Sequence, residues 1–184
     1  AGLLAYSATT HSPTINEPGH LVAGLTHWKF GRFDVYCVNP PLTHAVAAIP
    51  VLLAGFEEDW SGFYESPGAR PEFPMGEDFI EANGERSFWL FTLARWGCIP
   101  FSLIGGIVCF CWSRELWQSN TSGLISLFLW CFEPNILAHA ELVTPDCAAT
   151  ALGVAAAYLF WRWLRRPGWG RALAAGAMLG LAEL

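Results

Sequence analysis

The stretch FWLFTLARWGCIPFSLIGGIVCFCWS, residues 88–113, decides the fold because it is long, apolar and carries a single charged residue, Arg95. A transmembrane helix needs roughly 20 consecutive, mostly apolar residues. Two later runs, 116–132 and 147–161, carry no charged residue at all. With their flanks, these three runs predict membrane-spanning helices. We therefore expect residues 88–184 to form an all-α, multi-pass transmembrane helical bundle with short connections.

The composition of the whole chain agrees with a membrane protein. Of its 184 residues, 53% are hydrophobic and only 14% are charged, against about 25% charged residues in an average soluble domain. The net charge of −6 disfavours nucleic acid as a partner, since binding to phosphates needs clustered Lys and Arg. Membrane lipids are the expected surroundings.

Both ends of the chain are apolar. The run from Ala172 to Leu184 is too short to cross a bilayer, and Ala1 to Ala8 resembles the end of another apolar segment. The sequence therefore predicts that residues 1–184 are the N-terminal part of one larger transmembrane domain, cut at both ends.

Residues 9–87 form the longest connection and hold most of the polar residues. Within it, residues 57–86 carry many acids and only two basic residues, among prolines and glycines, which predicts a solvated loop. The acids are Glu57, Glu58, Asp59, Glu65, Glu72, Glu77, Asp78, Glu81 and Glu85.

The basic residues of the last short connection predict the orientation in the membrane. Four arginines lie within 162–171, and short loops rich in Lys and Arg favour the cytoplasm. Counting spans backwards places 139–146 and 9–87 outside the cell (inner) membrane. The apolar run 42–56 is too short to span, so we expect a juxtamembrane helix along the outer surface.

A first group of chemically useful side chains lies near the start of the outer loop. Asn16 or Thr14 can cap a helix, and Glu17, His20 and His27 then recur on roughly one face. Glu and His three residues apart can share a metal ion or a proton. The alternative interpretation is structural: Asn16 as N-cap, Glu17 complementing the helix dipole and the histidines as polar residues at the interface.

A second group lies between two predicted spans, where His139 is close in sequence to Glu133, Glu141 and Asp146. Ionisable groups at membrane depth are functional candidates, although an ordinary polar connector would look similar. Arg95, inside the first span, could reach the interface or bind an anion such as a lipid phosphate.

The order of these motifs resembles the dolichyl-phosphate-mannose protein mannosyltransferase family, and its bacterial branch most closely. The motifs are the capped acidic pair in the first loop, the Asn39-Pro40-Pro41-Leu42 segment, Arg95, and the Pro-Asn and Thr-Pro-Asp elements within 134–146. The resemblance covers most of the chain from Ser12 to Leu184. It implies a GT-C fold and a catalytic site on the outer face of the membrane.

The resemblance also implies residue roles. The family's catalytic Asp-Glu pair falls on Asn16 and Glu17, its second acid on Asp146 and its arginine at the loop-to-helix junction on Arg95. An amide cannot accept a proton. The base is therefore Glu17, a nearby acid such as Asp34 or Asp146, or it is lost.

The substrate-binding candidates complete the set of predicted site residues. They are Arg95, His20, Asn39, Pro40, Pro41, His139 and Glu141.

The implied function is transfer of a mannose-like sugar from a polyprenyl-phosphate carrier to a hydroxyl of a protein or lipid acceptor. Family members differ in metal use, and Glu17, His20, Glu141 and Asp146 are candidate ligands for a divalent metal ion. Two alternatives stay open. One is a non-catalytic relative that binds a lipid-linked sugar or a partner, and the other is a multi-pass transporter.

Overall fold

The computed structural model describes residues 1–64 and 69–184, and all regular secondary structure in these residues is helical, which confirms the predicted all-α class. Glu65, one of the acids assigned to the solvated loop, lies outside the described residues. The helices are α1 (Gly2–Ser7), α2 (Glu17–Phe30), α3 (Pro41–Ala54), α4 (Glu72–Asn83), α5 (Arg86–Trp117), α6 (Asn120–Phe132), α7 (Pro134–Ala140), α8 (Pro145–Arg165) and α9 (Trp169–Glu183).

Two of the described helices, α5 and α8, are each long and apolar enough to cross a membrane. The second predicted span is interrupted, because α6 and α7 are bent by 60° at Glu133 and form one span only if they are taken together. The physical reason is Pro134, which lacks an N–H and disfavours helical backbone in the residue before it. Glu133 is accordingly extended, with φ −69° and ψ 122°. The last run forms α9, a helix of 15 residues.

The acidic segment 57–86 is not a loop throughout, which corrects the prediction from its charge. Its second half folds into α4, whose residues Met75 and Phe79 are buried one helical turn apart. The side chain of Asn83 bonds both the N–H and the carbonyl oxygen of Glu57. The apolar spacing within this segment outweighs its charge, so α4 packs as part of the core.

The described chain divides into two compact units, and the boundary falls within α5. Unit 1 comprises Ala1–Ile99 together with Glu141–Pro145, and unit 2 comprises Pro100–Ala140 together with Asp146–Leu184.

Unit 1 is centred on the close packing of α2 against α3. A Cβ atom at Gly24 would overlap the carbonyl oxygen of His44, so the two backbones approach as only glycine permits. At the end of α2, Gly31 adopts φ 64°, a left-handed conformation that terminates the helix. One face of α3 is buried, whereas Leu53 is largely exposed. The short apolar helix predicted over 42–56 is thus present, and its location on the membrane surface stays a prediction.

Unit 2 contains the end of α5, the bent pair α6 and α7, and helices α8 and α9. Trp130 on α6 donates its indole N–H to the carbonyl oxygen of Ser102 on α5 at 2.9 Å. Tyr158 on α8 donates its hydroxyl to Glu115 near the end of α5 at 2.6 Å. These contacts fix both α6 and α8 against α5.

Candidate active site

A buried ion pair between Glu17 and Arg95 is the most completely bonded polar feature of unit 1. Glu17 begins α2, Arg95 lies in α5, and their side chains are 0% and 2% exposed. The carboxylate accepts two parallel hydrogen bonds, from Nε of Arg95 at 2.8 Å and from its Nη2 at 2.7 Å. We call this pair the clamp. It holds α2 against α5.

Arg95 has no N–H left for another ligand. A guanidinium carries five N–H donors, and the three that Glu17 does not occupy donate to backbone carbonyl oxygens of the segment before α2. These oxygens belong to Ala8, His11 and Ser12, at 3.0, 2.9 and 3.0 Å. The anion that Arg95 binds in this structure is therefore Glu17, and its predicted contact with a lipid phosphate would require the clamp to open.

Glu17 is bonded as fully as its partner. Besides Arg95, its two oxygens accept the backbone N–H of Thr14 at 2.8 Å and of Val143 at 3.0 Å. Burial by itself raises the pKa of this carboxyl, but the hydrogen bonds from Arg95, Thr14 and Val143 outweigh it and hold the pKa below its usual value. A buried carboxylate with a lowered pKa and four hydrogen bonds is a poor general base.

Asn16, on which the resemblance places the family's catalytic acid, is exposed immediately beside the clamp. It is the N-cap residue of α2, as predicted, although its side chain makes no capping hydrogen bond. The carboxylate of Glu17, the first residue of the helix, instead accepts the N–H of Thr14 in the turn before α2.

The histidines of the outer loop form a buried cluster with Tyr36. Nδ1 of His20 lies 2.7 Å from Nε2 of His44, and the ring of Tyr36 stacks on His44 at 5.8 Å between centroids. His27 lies 5.8 Å from His44, also between ring centroids. Glu17 and His20 thus share the first two turns of α2 as predicted, but they bond different partners.

Two histidines of the cluster, His44 and His27, are held neutral at physiological pH. Burial, and then the proximity of His20 and His27, lower the pKa of His44 to about 3. Burial likewise lowers the pKa of His27, against the opposing effects of the Arg32 carbonyl and Asp34. Nδ1 of His44 and Nε2 of His27 are buried without a hydrogen-bond partner among the described residues.

The Asn39-Pro40-Pro41 motif forms the entry to α3. Pro40 is its N-cap residue, and Pro41 occupies the first turn, where a missing N–H costs nothing. A turn precedes it, in which the N–H of Asn39 donates to the carbonyl oxygen of Tyr36 at 3.1 Å. All three motif residues are partly exposed. The motif therefore positions His44 one turn into the helix.

The predicted acidic group after α7 is split between the two units. In unit 2, Asp146 lies at the start of α8 with its side chain 58% exposed, and its carboxylate is 3.5 Å from Nδ1 of His139. In unit 1, Glu141 is nearly buried and lies 4.0 Å from Nε2 of the exposed His11. Asp146 is thus an accessible carboxylate with a histidine neighbour, which Glu17 is not.

The described residues do not assemble the predicted metal ligands. Among residues 1–64 and 69–184, no three His, Cys, Asp or Glu side chains lie together in a way that could hold a metal ion. Glu17 and His20 already bond Arg95 and His44. A divalent metal ion stays a prediction, and no catalytic step is assigned to it.

Several partners of the site residues were missed from the sequence. The N–H of Val143 and the carbonyl oxygens of segment 8–12 are backbone groups, which no side-chain pattern reveals. His44 and Tyr36 could have been found, because both lie within the polar segment that also contains His20. The lone arginine of a predicted span was itself the signal for the clamp, since a buried charge requires a counter-charge.

The sequence model of the dolichyl-phosphate-mannose-protein mannosyltransferase family matches residues 72–184, which is more than half of the chain. The matched range contains Arg95, Glu141 and Asp146, whereas the Asn16 and Glu17 motif precedes it. No curated protein and no solved structure gives a significant match to the chain.

Proposed function

The chain belongs to the dolichyl-phosphate-mannose-protein mannosyltransferase family, which implies a membrane glycosyltransferase of the mannosyltransferase kind, and from this premise we propose that it transfers a mannose-like sugar from a polyprenyl phosphate to an acceptor hydroxyl on the outer face of the membrane. The observation that carries the site assignment is the contrast between two acids. Glu17 has both oxygens occupied inside the core, whereas Asp146 is exposed beside His139.

Asp146 is the proposed general base. The acceptor hydroxyl gives its proton to the Asp146 carboxylate, and its oxygen forms a bond to the anomeric carbon of the sugar. The bond from that carbon to the carrier phosphate breaks, and the polyprenyl phosphate leaves with the electron pair. Proton transfer to a positioned side chain contributes about 10²- to 10⁴-fold to such rates. His139, 3.5 Å from the carboxylate, is the group that would orient Asp146.

The clamp has a positioning role in this proposal. Arg95 fixes segment 8–12 through three carbonyl oxygens, and Glu17 fixes Val143 through its N–H. Val143 lies just before Asp146 in the chain, so the clamp restrains the backbone that leads into α8. Restraining a catalytic side chain through the backbone that carries it is a recognised source of rate enhancement.

The outer-face assignment depends on α8. Asp146 lies in its first turn and Arg162 and Arg165 in its last, and the helix has 21 residues. At 1.5 Å per residue, such a helix is about 30 Å long and can cross the hydrocarbon core. In this proposal the arginine-rich end of α8 lies in the cytoplasm and Asp146 lies at the outer surface.

The test is sugar transfer by the purified full-length protein, with mannosyl polyprenyl phosphate as donor. Asp146→Asn should reduce kcat by about 10²- to 10⁴-fold because the base is removed. Asp59→Asn is the matched control. Asp59 is an exposed acid that bonds Ser61, and we expect less than a twofold change. Activity near the wild-type level in Asp146→Asn would overturn the assignment.

A second candidate function is favoured by Asn16 alone. An exposed amide at the family's acidic position is what a non-catalytic relative that binds a lipid-linked sugar would carry. The Asn16→Asp variant distinguishes the two functions in the same assay. If the protein with Asn16 is inactive and the Asn16→Asp variant gains transfer, the binding role is supported, whereas transfer already present with Asn16 excludes it.

Metal dependence can be tested in the same assay. Transfer is measured after treatment with a chelator and after readdition of Mg²⁺ or Mn²⁺. Less than a twofold loss on chelation would contradict the predicted divalent metal ion. A complete loss that Mn²⁺ restores would show that a metal ion participates.

A further inference from the structure

A cavity lined by arginines lies within unit 2, and none of its lining residues is assigned to sugar transfer. Its volume is about 290 Å³, near the lower end of ligand pockets, which are about 300–1,000 Å³. It is formed by the end of α5, the last turns of α8 and the beginning of α9. The lining residues are Glu115, Gln118, Trp161, Arg162, Arg165, Arg166 and Arg171.

The charge of this cavity is strongly positive. Four arginines face one carboxylate, Glu115. That carboxylate is already engaged, because it accepts the hydroxyl of Tyr158 at 2.6 Å and lies 3.6 Å from Arg162. The other three arginines form no ion pair with any residue that the structure describes. The cavity therefore holds uncompensated positive charge and is suited to an anion.

Contacts with uncharged groups hold the arginine side chains at the cavity without neutralising their charge. The guanidinium of Arg165 lies over the ring of Trp161, 5.1 Å from its centroid. Arg171 donates one N–H to the carbonyl oxygen of Arg166 at 2.7 Å, which closes the turn between α8 and α9. Guanidinium groups bind phosphate oxygens through paired N–H donors, so phosphate is the anion that this set fits best.

The surroundings indicate that the phosphate belongs to a lipid. α8 is a candidate membrane span, and the cavity lies at its end. Trp161, Trp163 and Trp169 flank the connection between α8 and α9 in the sequence, and tryptophans concentrate at the headgroup level of a bilayer. Basic pockets between membrane helices are recognised sites for anionic headgroups. We infer that this cavity binds the phosphate of an anionic phospholipid headgroup.

The experiment measures lipid binding to the delipidated full-length protein by native mass spectrometry, with phosphatidylglycerol as ligand and phosphatidylcholine as the zwitterionic comparison. Arg166→Gln should weaken phosphatidylglycerol binding about fivefold, and Arg165→Gln with Arg166→Gln about 25-fold, since each arginine near a membrane surface contributes about 1 kcal/mol. All of these residues are exposed, so the fold should tolerate the changes.

Arg114→Gln is the matched control. It removes the same charge from the end of α5, but Arg114 does not line this cavity. We expect less than a twofold change. An equal loss of phosphatidylglycerol binding in Arg114→Gln and Arg166→Gln would overturn the site and indicate diffuse electrostatic attraction of the lipid. Equal binding of the two lipids would overturn it as well.

Competition with inorganic phosphate distinguishes a lipid ligand from a soluble one. Added in large excess over phosphatidylglycerol, it should leave the lipid bound, because the apolar helix surfaces beside the cavity also hold the acyl chains. Displacement of the lipid by inorganic phosphate would overturn the lipid assignment and show that a soluble phosphate is the occupant. The readout does not use sugar transfer, so it is independent of the proposed function.

Discussion

In unit 1 several Asp, Glu, Arg and His side chains lie inside the packed helices, whereas in unit 2 side chains of these types lie near helix ends and are partly or fully exposed. Glu17, Arg95 and His44 are each at most 1% exposed. Asp146 and the arginines of the α8 end are exposed. Burial of a charge is costly unless it is paired, so the charges of unit 1 are fixed by their partners. The exposed charges of unit 2 remain available to ligands.

The two groups of predicted site residues therefore differ in whether their side chains are available to a substrate. Near the start of the outer loop the residues support the structure, since Glu17 bonds Arg95 and His20 bonds His44 within unit 1. The chemistry is then expected from Asp146 and His139 in unit 2. If this division is correct, mutations in unit 1 should act mainly through stability.

The largest expected effect is the loss of the clamp. Arg95→Met leaves the carboxylate of Glu17 buried without its counter-charge, which typically destabilises a protein by about 3–5 kcal/mol. The double variant with Glu17→Gln should be less destabilised, because the unpaired charge is gone. The measurement is the free energy of unfolding in detergent solution.

The control for the clamp is Arg86→Met, in the same helix. Arg86 is exposed, and among the described residues it donates only to the carbonyl oxygens of Ala54 and Gly55, so its loss should cost less than half as much. Equal destabilisation by the two variants would contradict a special role for the clamp.

A smaller effect is expected where α2 and α3 approach most closely. Gly24→Ala places a Cβ atom against the carbonyl oxygen of His44, and a backbone atom cannot move aside as a side chain can. Overpacking of a core costs about 1–3 kcal/mol, and we expect the upper part of that range. Gly153→Ala, with no described atom within 4 Å of the added Cβ, should be neutral or stabilising in the same unfolding measurement.

The smallest of the three effects is a pH dependence from the histidine cluster. The pKa of His44 is about 3 in the folded protein and 6.5 in the reference state, so the unfolded chain binds the proton more readily. Stability is then complete above pH 6.5 and decreases as the pH falls toward 3. The loss from His44 is about 2 kcal/mol at pH 5.

The groups that face His44 are His20, His27 and Tyr36, and no carboxylate contacts the ring among the described residues. The melting temperature is measured in buffers at pH 7.5 and pH 5. Between these two buffers, His44→Gln should therefore lose less melting temperature than the wild-type protein. His139→Gln, an exposed histidine of unit 2, should leave that loss unchanged. The opposite pattern would assign the pH dependence elsewhere.

The sequence was sufficient to predict the helical membrane class, because long uncharged runs have few other interpretations. The family was predicted from the order of short motifs. The sequence also predicted the start of α2 from its candidate cap residues, and a short apolar helix over 42–56 from length. The partner of Arg95 could not be predicted, since pairing across 78 positions leaves no local pattern.

Two errors of prediction have physical causes that are visible in hindsight. The acidic segment was assigned as loop from its charge, although Met75 and Phe79 lie four residues apart and supply an apolar face for α4. The second span was predicted from the run 116–132 with its flanks, but α6 ends at Phe132 because Pro134 follows directly on Glu133, and a span forms only if α6 and α7 are taken together. In both cases a local feature, the apolar spacing in α4 or the proline after α6, outweighs the composition of the residues around it.

The central claim is that Glu17 supports the structure and Asp146 performs proton transfer. The direct test compares Glu17→Gln with Asp146→Asn in one preparation of the full-length protein, measuring both the unfolding free energy and kcat per folded molecule. We predict that Glu17→Gln lowers stability but keeps kcat within about tenfold, whereas Asp146→Asn keeps stability and loses at least about 10² in kcat. The reverse pattern, with kcat lost in a stable Glu17→Gln and retained in Asp146→Asn, would contradict the account.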